Sequence, residues 1–542
     1  MPWSASDAAV RSTSAVSPTS LQGVDEPVPA RVDVRLVPAA LTSWMVTAAG
    51  IVWPVGRVLA SCCVMLVAAS VALLCYAARR PGRASRLRMI SAGLMAIGVA
   101  GVGFGLAVAL RSEAVVRHPI GAAFGTAAPV TVTPSESALS LGRGQLMFRA
   151  TLQRLRADDM SGRVVVFGRA SDFGAVMAGQ PVQFTARIGR PARHDLTVAV
   201  LTATGPPTMG RAGAVQRAAH TVRSRFAAAV REILPAQQAA MLPALVLGDT
   251  SAVTADTSRD FRVAGMTHLT AVSGANVTIV CAAVLFSARL IGPRSAVLLA
   301  AVTLVAFVVV VQPTASVLRA AVMGAIALAG MLSSRRRQAI PALCASTLVL
   351  LAVAPHLAVD VGFALSVLAT AALVLVAPVW SRRLVAGGCP KPLADALAVA
   401  CAAHVVTAPL VAGISGRVSL VAVVANLAVA AAIAPITVLG TAAATLCMLW
   451  PTGAQLLIRF IGPELWWVLS VAHWAARVPV ATVPVPPGAP GVLVVGGATV
   501  LVFLLTRLLW RWRWFRAMTG LAALVTVGYL LARSLSGLVI PT

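Results

Sequence analysis

Charge is scarce in this 542-residue sequence, where only 11% of residues are Asp, Glu, Lys or Arg, against about 25% in soluble proteins. That leaves too little polar surface to cover a single water-soluble globule. Aromatic residues are also few, at 5%, so the 58% hydrophobic content is mainly Ala, Val and Leu. That composition fits lipid-facing helices better than a membrane β-barrel, which would need aromatic girdles and alternating segments. The fold class that remains is a polytopic α-helical membrane protein of about 11–13 spans. Lysine is nearly absent: the one lysine, Lys391, sits between Pro390 and Pro392. The pattern GxxxxGK[ST] is therefore missing, which excludes a P-loop ATPase. Most of the eight cysteines (Cys62, Cys63, Cys75, Cys281, Cys344, Cys401 and Cys447 among them) lie in apolar runs, and no CxxC occurs. Neither a zinc site nor a disulfide framework is indicated. His118, His194, His220, His268, His356, His404 and His473 stand far apart in the sequence, so no metal motif and no cofactor are expected.

What is present is positive charge and apolar length. The formal net charge is +27, almost all from arginine, which suits an anionic partner such as nucleic acid or phospholipid heads. It also fits the arginine bias of cytoplasmic loops. Residues 1–35 are polar and read as a disordered cytoplasmic tail. Apolar runs of span length occupy roughly 36–53, 58–78 and 89–110, the N-terminal transmembrane group. Others follow at roughly 268–288, 295–311, 316–332, 339–355, 359–380, 393–412, 418–450, 454–478, 490–509 and 518–540. The 418–450 tract, interrupted by Asn426 and Pro435, reads either as one broken helix or as two short ones. Arg79, Arg80, Arg83, Arg86 and Arg88 mark a cytoplasmic loop, and the count of crossings then alternates in step with Arg289 and Arg294, Arg335–Arg337, and Arg382 and Arg383. The same count places residues 111–212 outside the cytoplasm.

That polar block is strand-like at 146–152, 163–167, 182–186 and 196–201, with Gly, Asp and Pro turns between. A small OB-like barrel is expected, a β-sandwich being the alternative. Residues 213–235 interleave Arg217, His220, Arg223, Arg225 and Arg231 with Ala, Val and Phe226, the pattern of a basic amphipathic helix at a membrane surface. Trp510–Arg516 alternates tryptophan and arginine, which reads as an interfacial aromatic belt before it reads as a nucleic-acid contact.

The remaining signal is polar residues in apolar surroundings, which are costly there and so line a cavity or pair with one another. Only six of seventeen acids lie beyond residue 235. The densest cluster runs from Leu247-Gly248-Asp249 to Asp260, Arg262, His268, Ser273 and Asn276. An apolar helix opening at His268 would carry Ser273 and Asn276 on one face, and Gly274 between them permits close backbone approach. Helix–helix hydrogen bonding around a small-residue contact would explain the same pattern.

The run GDTSAVTADTSRDFRVAGMTHLTAVSGANV closely resembles the signature of the ComEC-type competence family, the channel proteins of bacterial DNA uptake. Weaker matches are Gln312-Pro313-Thr314-Ala315-Ser316-Val317-Leu318-Arg319-Ala320, Asp360-Val361-Gly362-Phe363-Ala364-Leu365-Ser366, and Arg417-Val418-Ser419-Leu420 with Asn426-Leu427. The resemblance extends over about 36–540, and the family usually has Gln where Ala364 stands. It implies an inner-membrane channel domain over 236–542, passing single-stranded DNA, with an OB-like insert and no enzymatic role. Many members carry a C-terminal metallo-β-lactamase-like nuclease domain; this sequence ends at Thr542 after an apolar run, so the form without that domain is expected. A separate nuclease, a DNA receptor or a cytoplasmic motor protein would then be partners, and an oligomer is left open. On this reading Arg262, His268, Ser273, Asn276, Arg319 and Asn426 are candidates for the DNA path. Asp249 and Asp260 would orient Arg262 or Arg319 through ion pairs, and Asp360 joins them as a structural candidate. In the insert, eight arginines between Arg149 and Arg193 would line a groove, with Phe148, Phe167, Phe173 and Phe184 as stacking candidates. Two other functions fit the composition: a small-molecule or lipid transporter using midplane groups such as Asn426, and a structural envelope protein with the β domain as docking module.

Overall fold

The computed structural model describes residues 33–53, 55–79, 84–270, 272–312, 314–332 and 339–509. The tail to residue 32, Arg335–Arg337, Trp510–Arg516 and the apolar run at 518–540 lie outside the described residues. Helices dominate, and among the described residues seven are long and apolar enough to cross a membrane, with five shorter apolar ones beside them. The molecule is a polytopic helical membrane protein with a β domain inserted.

Three helices come first: α1 (Val37–Val52), α2 (Gly56–Ala78) and α3 (Ala84–Val116). Glycines let them approach closely: a Cβ at Gly105 would lie 3.2 Å from that of Ala60 on α2. Several of their hydroxyls fold back on their own helices, as in Ser43 Oγ to Ala39 O at 2.8 Å and Ser70 Oγ to Leu66 O at 2.6 Å, which satisfies those polar hydrogens in an apolar setting. At 33 residues, α3 is about 50 Å long. It overruns the expected limit at 110 and carries the chain directly into the β domain.

That domain contains β1 (Ala127–Pro134), β2 (Leu139–Gly142), β3 (Gln145–Leu155), β4 (Asp158–Arg169), the short α4 (Ala170–Phe173), β5 (Val182–Gly189), β6 (Ala199–Ala203) and β7 (Thr208–Met209). Strand order is β1-β3-β4-β6-β5, and β5 pairs again with β1 to close a five-stranded barrel. Only β4–β6 is parallel within that ring. This is consistent with the OB-like expectation and not with a sandwich. The alternation on β5 shows why: Val182, Phe184, Ala186 and Ile188 point inward while Gln183, Thr185 and Arg187 are exposed. Phe173 packs on Phe148 and Phe184 with ring centroids 6.1 and 5.1 Å apart. Three of the four expected stacking platforms are therefore core: strand parity faces Phe148 and Phe184 inward, and α4 lays Phe173 against them, while Phe167 is half-buried.

After the barrel come α5 (Ala214–Ile233), α6 (Ala236–Leu247), α7 (Ala255–Val263), α8 (Thr267–Thr270), α9 (Gly274–Ala288), α10 (Pro293–Val311), α11 (Ala315–Leu332) and α12 (Ala339–Val353). A 3-10 turn at Pro355–Val359 leads to α13 (Val361–Leu375), α14 (Ala377–Ala386) and α15 (Lys391–Ser415). The hairpin strand β8 (Arg417–Ser419) pairs with β9 (Thr482–Pro484), and between them run α16 (Ala422–Leu449) and α17 (Pro451–Ala476); α18 (Ala489–Leu509) follows. The 418–450 tract is one 28-residue helix with Pro435 inside it. Asn426 does not break it, because its Nδ2 donates to Ala422 O in the same helix at 2.8 Å. Basic α5 buries its apolar stripe in protein: Phe226 and Val230 are fully enclosed in the core cluster that α6, α9, α10, α16 and α17 share.

The barrel is fastened to this bundle. Gln312, at the α10–α11 corner, accepts from Ser137 N at 3.0 Å and Ser137 Oγ at 2.7 Å. Leu196 of the barrel packs with Ile51, Leu357 and Phe363.

Candidate functional site

The signature run folds into four short pieces. Helix α6 is apolar and wholly enclosed from Met241 to Leu247, ending at Gly248 in the left-handed region (φ 73°). Asp249 starts a turn, accepting from Ser251 N at 3.2 Å and Ser251 Oγ at 2.7 Å. Thr254 caps α7 by accepting from Thr257 N at 3.2 Å. Gly265 then turns the chain at φ 67°. The helix does not open at His268: α8 is one turn, and α9 begins only at Gly274 with Ser273 at its N-cap.

Broken helices expose carbonyls that a low-dielectric interior cannot leave bare, and the polar residues of the motif answer this need. Asn276, 6% exposed, donates Nδ2 to Leu245 O at the end of α6 at 3.0 Å. Its Oδ1 accepts from the Ser273 hydroxyl at 3.2 Å. Ser419 Oγ donates to Val263 O at 2.7 Å, and Asn426 Nδ2 reaches Gly265 O at 3.3 Å. Arg417–Asn426 therefore clamps the bend at residues 263–265.

The acids pair differently from expectation. Asp249 faces Arg223 of α5 at 3.8 Å, and Asp260 faces His473 Nδ1 of α17 at 3.0 Å. Among the described residues neither forms an ion pair with Arg262 or Arg319, their partners coming from α5 and α17 instead. Asp360 is the N-cap of α13, accepting from Phe363 N at 2.8 Å. Arg262 and His268 are exposed, and neither has an ion pair among the described residues. Arg319 is buried, its Nε donating to Ser366 Oγ at 2.8 Å. The structure thus joins Ser273, Asn276 and α6 in one knot, Asn426 and the 263–265 bend in a second, and Arg319 with α9 and α13 in a third. Sequence reasoning did not pair Arg223, His473 or Ser366 with these groups: Arg223 was read as part of a basic amphipathic helix, Ser366 stood in a weaker motif, and His473 carried no local signal.

Polar groups also collect between barrel and bundle. His356, in the 3-10 turn before α13, is held down at about 4 by burial and by the guanidiniums of Arg163, Arg149 and Arg111, with Asp195 opposing. Burial likewise lowers Arg163, although Asp195 counteracts it. On the barrel wall a groove of about 450 Å³ is lined by Phe124, Gly125, Arg187, Ile188, Gly189, Arg190 and Thr202. It holds two exposed arginines and no acid, and the Arg190 guanidinium lies 5.8 Å from the centre of the Phe124 ring. Among the described residues no group of three or more His, Cys, Asp or Glu is placed to hold a metal ion.

Comparison with known proteins gives the same direction. The family model described as "Competence protein" matches residues 245–531, more than half of the chain. The ComE operon protein 3 of Bacillus subtilis (strain 168) is 29% identical over 164 residues, which is 30% of this chain. The match spans 21% of that protein's own length. No solved structure matches. With the family model running from the end of α6 through α18 and the signature knot at its start, the chain belongs to the competence protein family.

Proposed function

We propose that this protein is a multi-pass cell-membrane channel that passes single-stranded DNA inward during natural transformation. The observation that carries the reading is the barrel groove, where Arg187 and Arg190, neither in an ion pair among the described residues, share a lining with Phe124 on a closed OB-like barrel fastened to a competence-family bundle. A single strand needs cations along its phosphates and a ring on which a base can stack, and this groove supplies both. The arginine pattern of the loops puts the barrel outside and the N-terminus in the cytoplasm. Of the path candidates, Arg262 and His268, both exposed, would be the ones to touch the strand. Asn276 and Asn426 are positioning residues, since their amides are spent on main-chain carbonyls. The chain performs no reaction of its own in this reading; a DNA receptor, a nuclease and a motor are separate proteins.

The test is anisotropy of a labelled oligothymidylate with the purified full chain between about 50 and 300 mM salt. Steep loss of affinity with salt is expected, because each neutralised phosphate releases counterions. Arg187→Glu with Arg190→Glu should flatten the slope by about one unit per lost contact. Salt-independent binding, or an unchanged slope in the double variant, would remove the groove from the strand's route.

A further inference from the structure

The apolar bundle buries one full positive charge without an acid. Arg319 of α11 is 5% exposed, its Nε is spent on Ser366 of α13, and one Nη lies 3.3 Å from Met323 Sδ. No carboxylate of a described residue is within ion-pair distance of it. Its second Nη is turned to the start of α9: a Cβ on Gly274 would lie only 3.1 Å from it. Glycine at 274 is what admits the guanidinium there.

The start of α9 is itself positive. A helix N-terminus carries about half a unit charge from its unbonded amides. Ser273 stands at the N-cap, yet its hydroxyl makes no cap bond and donates to Asn276 instead. No described group accepts from the Gly274 or Ala275 amides. The Ser316 and Ser366 hydroxyls, 3.2 Å apart, border the same guanidinium. A whole positive charge and a helix N-terminus thus meet with only neutral acceptors, Ser366 Oγ and Met323 Sδ, recorded on the guanidinium and no anion, an arrangement that an entering anion would relieve. The place is reachable, since Ser273 and Gly274 are half-buried and Ala275 is exposed.

We propose that Arg319, the α9 start at Gly274 and the Ser316–Ser366 pair form an oxyanion site that takes one phosphodiester group of the translocating strand. The assignment of the strand as the source of phosphate rests on the function proposed above; the anion site itself does not.

The experiment uses the full chain in maltoside detergent free of phospholipid. Thermal unfolding is followed against inorganic phosphate, and against an oligothymidylate in parallel. Phosphate should raise the unfolding temperature of the wild type, and Arg319→Met should need at least about tenfold more phosphate for the same shift. Gly274→Ala, which keeps the charge but sets a methyl against the Nη, should weaken phosphate severalfold and serves where Arg319→Met does not fold. Equal phosphate protection in wild type and in both variants overturns the site, whatever the oligonucleotide does. Phosphate protection that depends on Arg319, with no oligonucleotide binding anywhere on the protein, keeps the site and overturns the strand as its source. Protection by phosphatidylglycerol alone, with none by phosphate or oligonucleotide, overturns the proposal as stated.

Discussion

Gly265→Ala tests whether the bend after Arg262 is set by glycine alone. Gly265 sits at φ 67°, where an L residue loses about 1–2 kcal/mol. A methyl there would also overlap the Ala422 Cβ and lie 3.3 Å from the Ala422 Cα and 3.5 Å from the Ser419 Cβ. Overpacking of this kind costs about 1–3 kcal/mol. Part of the bond network is at stake too, since Asn426 and Ser419 hold the Gly265 and Val263 carbonyls on the same face. The sum is about 2–5 kcal/mol, most of the margin of an ordinary domain. Thermal unfolding of the detergent-solubilised protein gives the single variant, and Ala422→Gly gives the partner. The double variant should recover the overlap but not the φ penalty, leaving about 1–2 kcal/mol plus the cost of a glycine in the first turn of α16. A Gly265→Ala protein as stable as the wild type would refute the account, and so would a double variant no better than the single one.

Three other outcomes follow from contacts of the same kind. Gln312→Ala removes both bonds to Ser137 and should cost about 1–2 kcal/mol, seen as faster amide exchange at Ser137. Gln312→Gly should cost less, since φ 76° suits glycine. Asp249→Asn keeps the turn to Ser251 and loses only the 3.8 Å pair with Arg223, so it should fall within about 1 kcal/mol of wild type, whereas Asp249→Ala should cost about 1–2 kcal/mol. Lowering the pH should weaken the barrel–bundle junction. His356 has its folded value at about 4 against an ordinary 6.5, so the unfolded chain takes the proton first. Stability is therefore unaffected at pH 7, falls between 6.5 and about 4, and is flat below. Allowing for its partial exposure, the loss is about 1–2 kcal/mol. His356→Gln should show a smaller decline over that window than wild type; an identical decline would count against the assignment.

The apolar runs located nearly every long helix, because burial in lipid demands about 20 apolar residues whatever the neighbours are. Strand alternation at 182–186 and 163–167 likewise placed β5 and β4. Enclosure by protein was not legible. Phe148 and Phe184 look the same in sequence whether they face a groove or the barrel core, and only the closure of β5 on β1 decides it. Helix α6 was missed as a separate element because its 12 residues fall short of a span. Ion pairs failed for a related reason. Asp249 and Asp260 stand near Arg262 in sequence, but their partners Arg223 and His473 arrive from α5 and α17, and periodicity holds no record of which helices pack together.

The distribution of polar contacts separates two kinds of residue that the sequence presents as one cluster. Wherever a helix breaks inside the bundle, its last carbonyls need donors, and here side chains supply them: Asn276 to Leu245, Ser419 to Val263, Asn426 to Gly265 and Trp44 to Ala358. These donors are consumed by the fold. Substituting any of them alters function only through the position of the backbone it holds, so a smaller donor at the same place should restore much of what alanine removes. Arg319 obeys a different logic. A neutral donor would satisfy Ser366 equally well, and desolvating a full charge there is costly without a counter-ion. Lysine at 319 keeps the charge but not the fork that reaches both Ser366 and the α9 start. If the charge serves the fold, methionine at 319 should destabilise the protein; if it awaits an anion, methionine should stabilise it and remove phosphate binding.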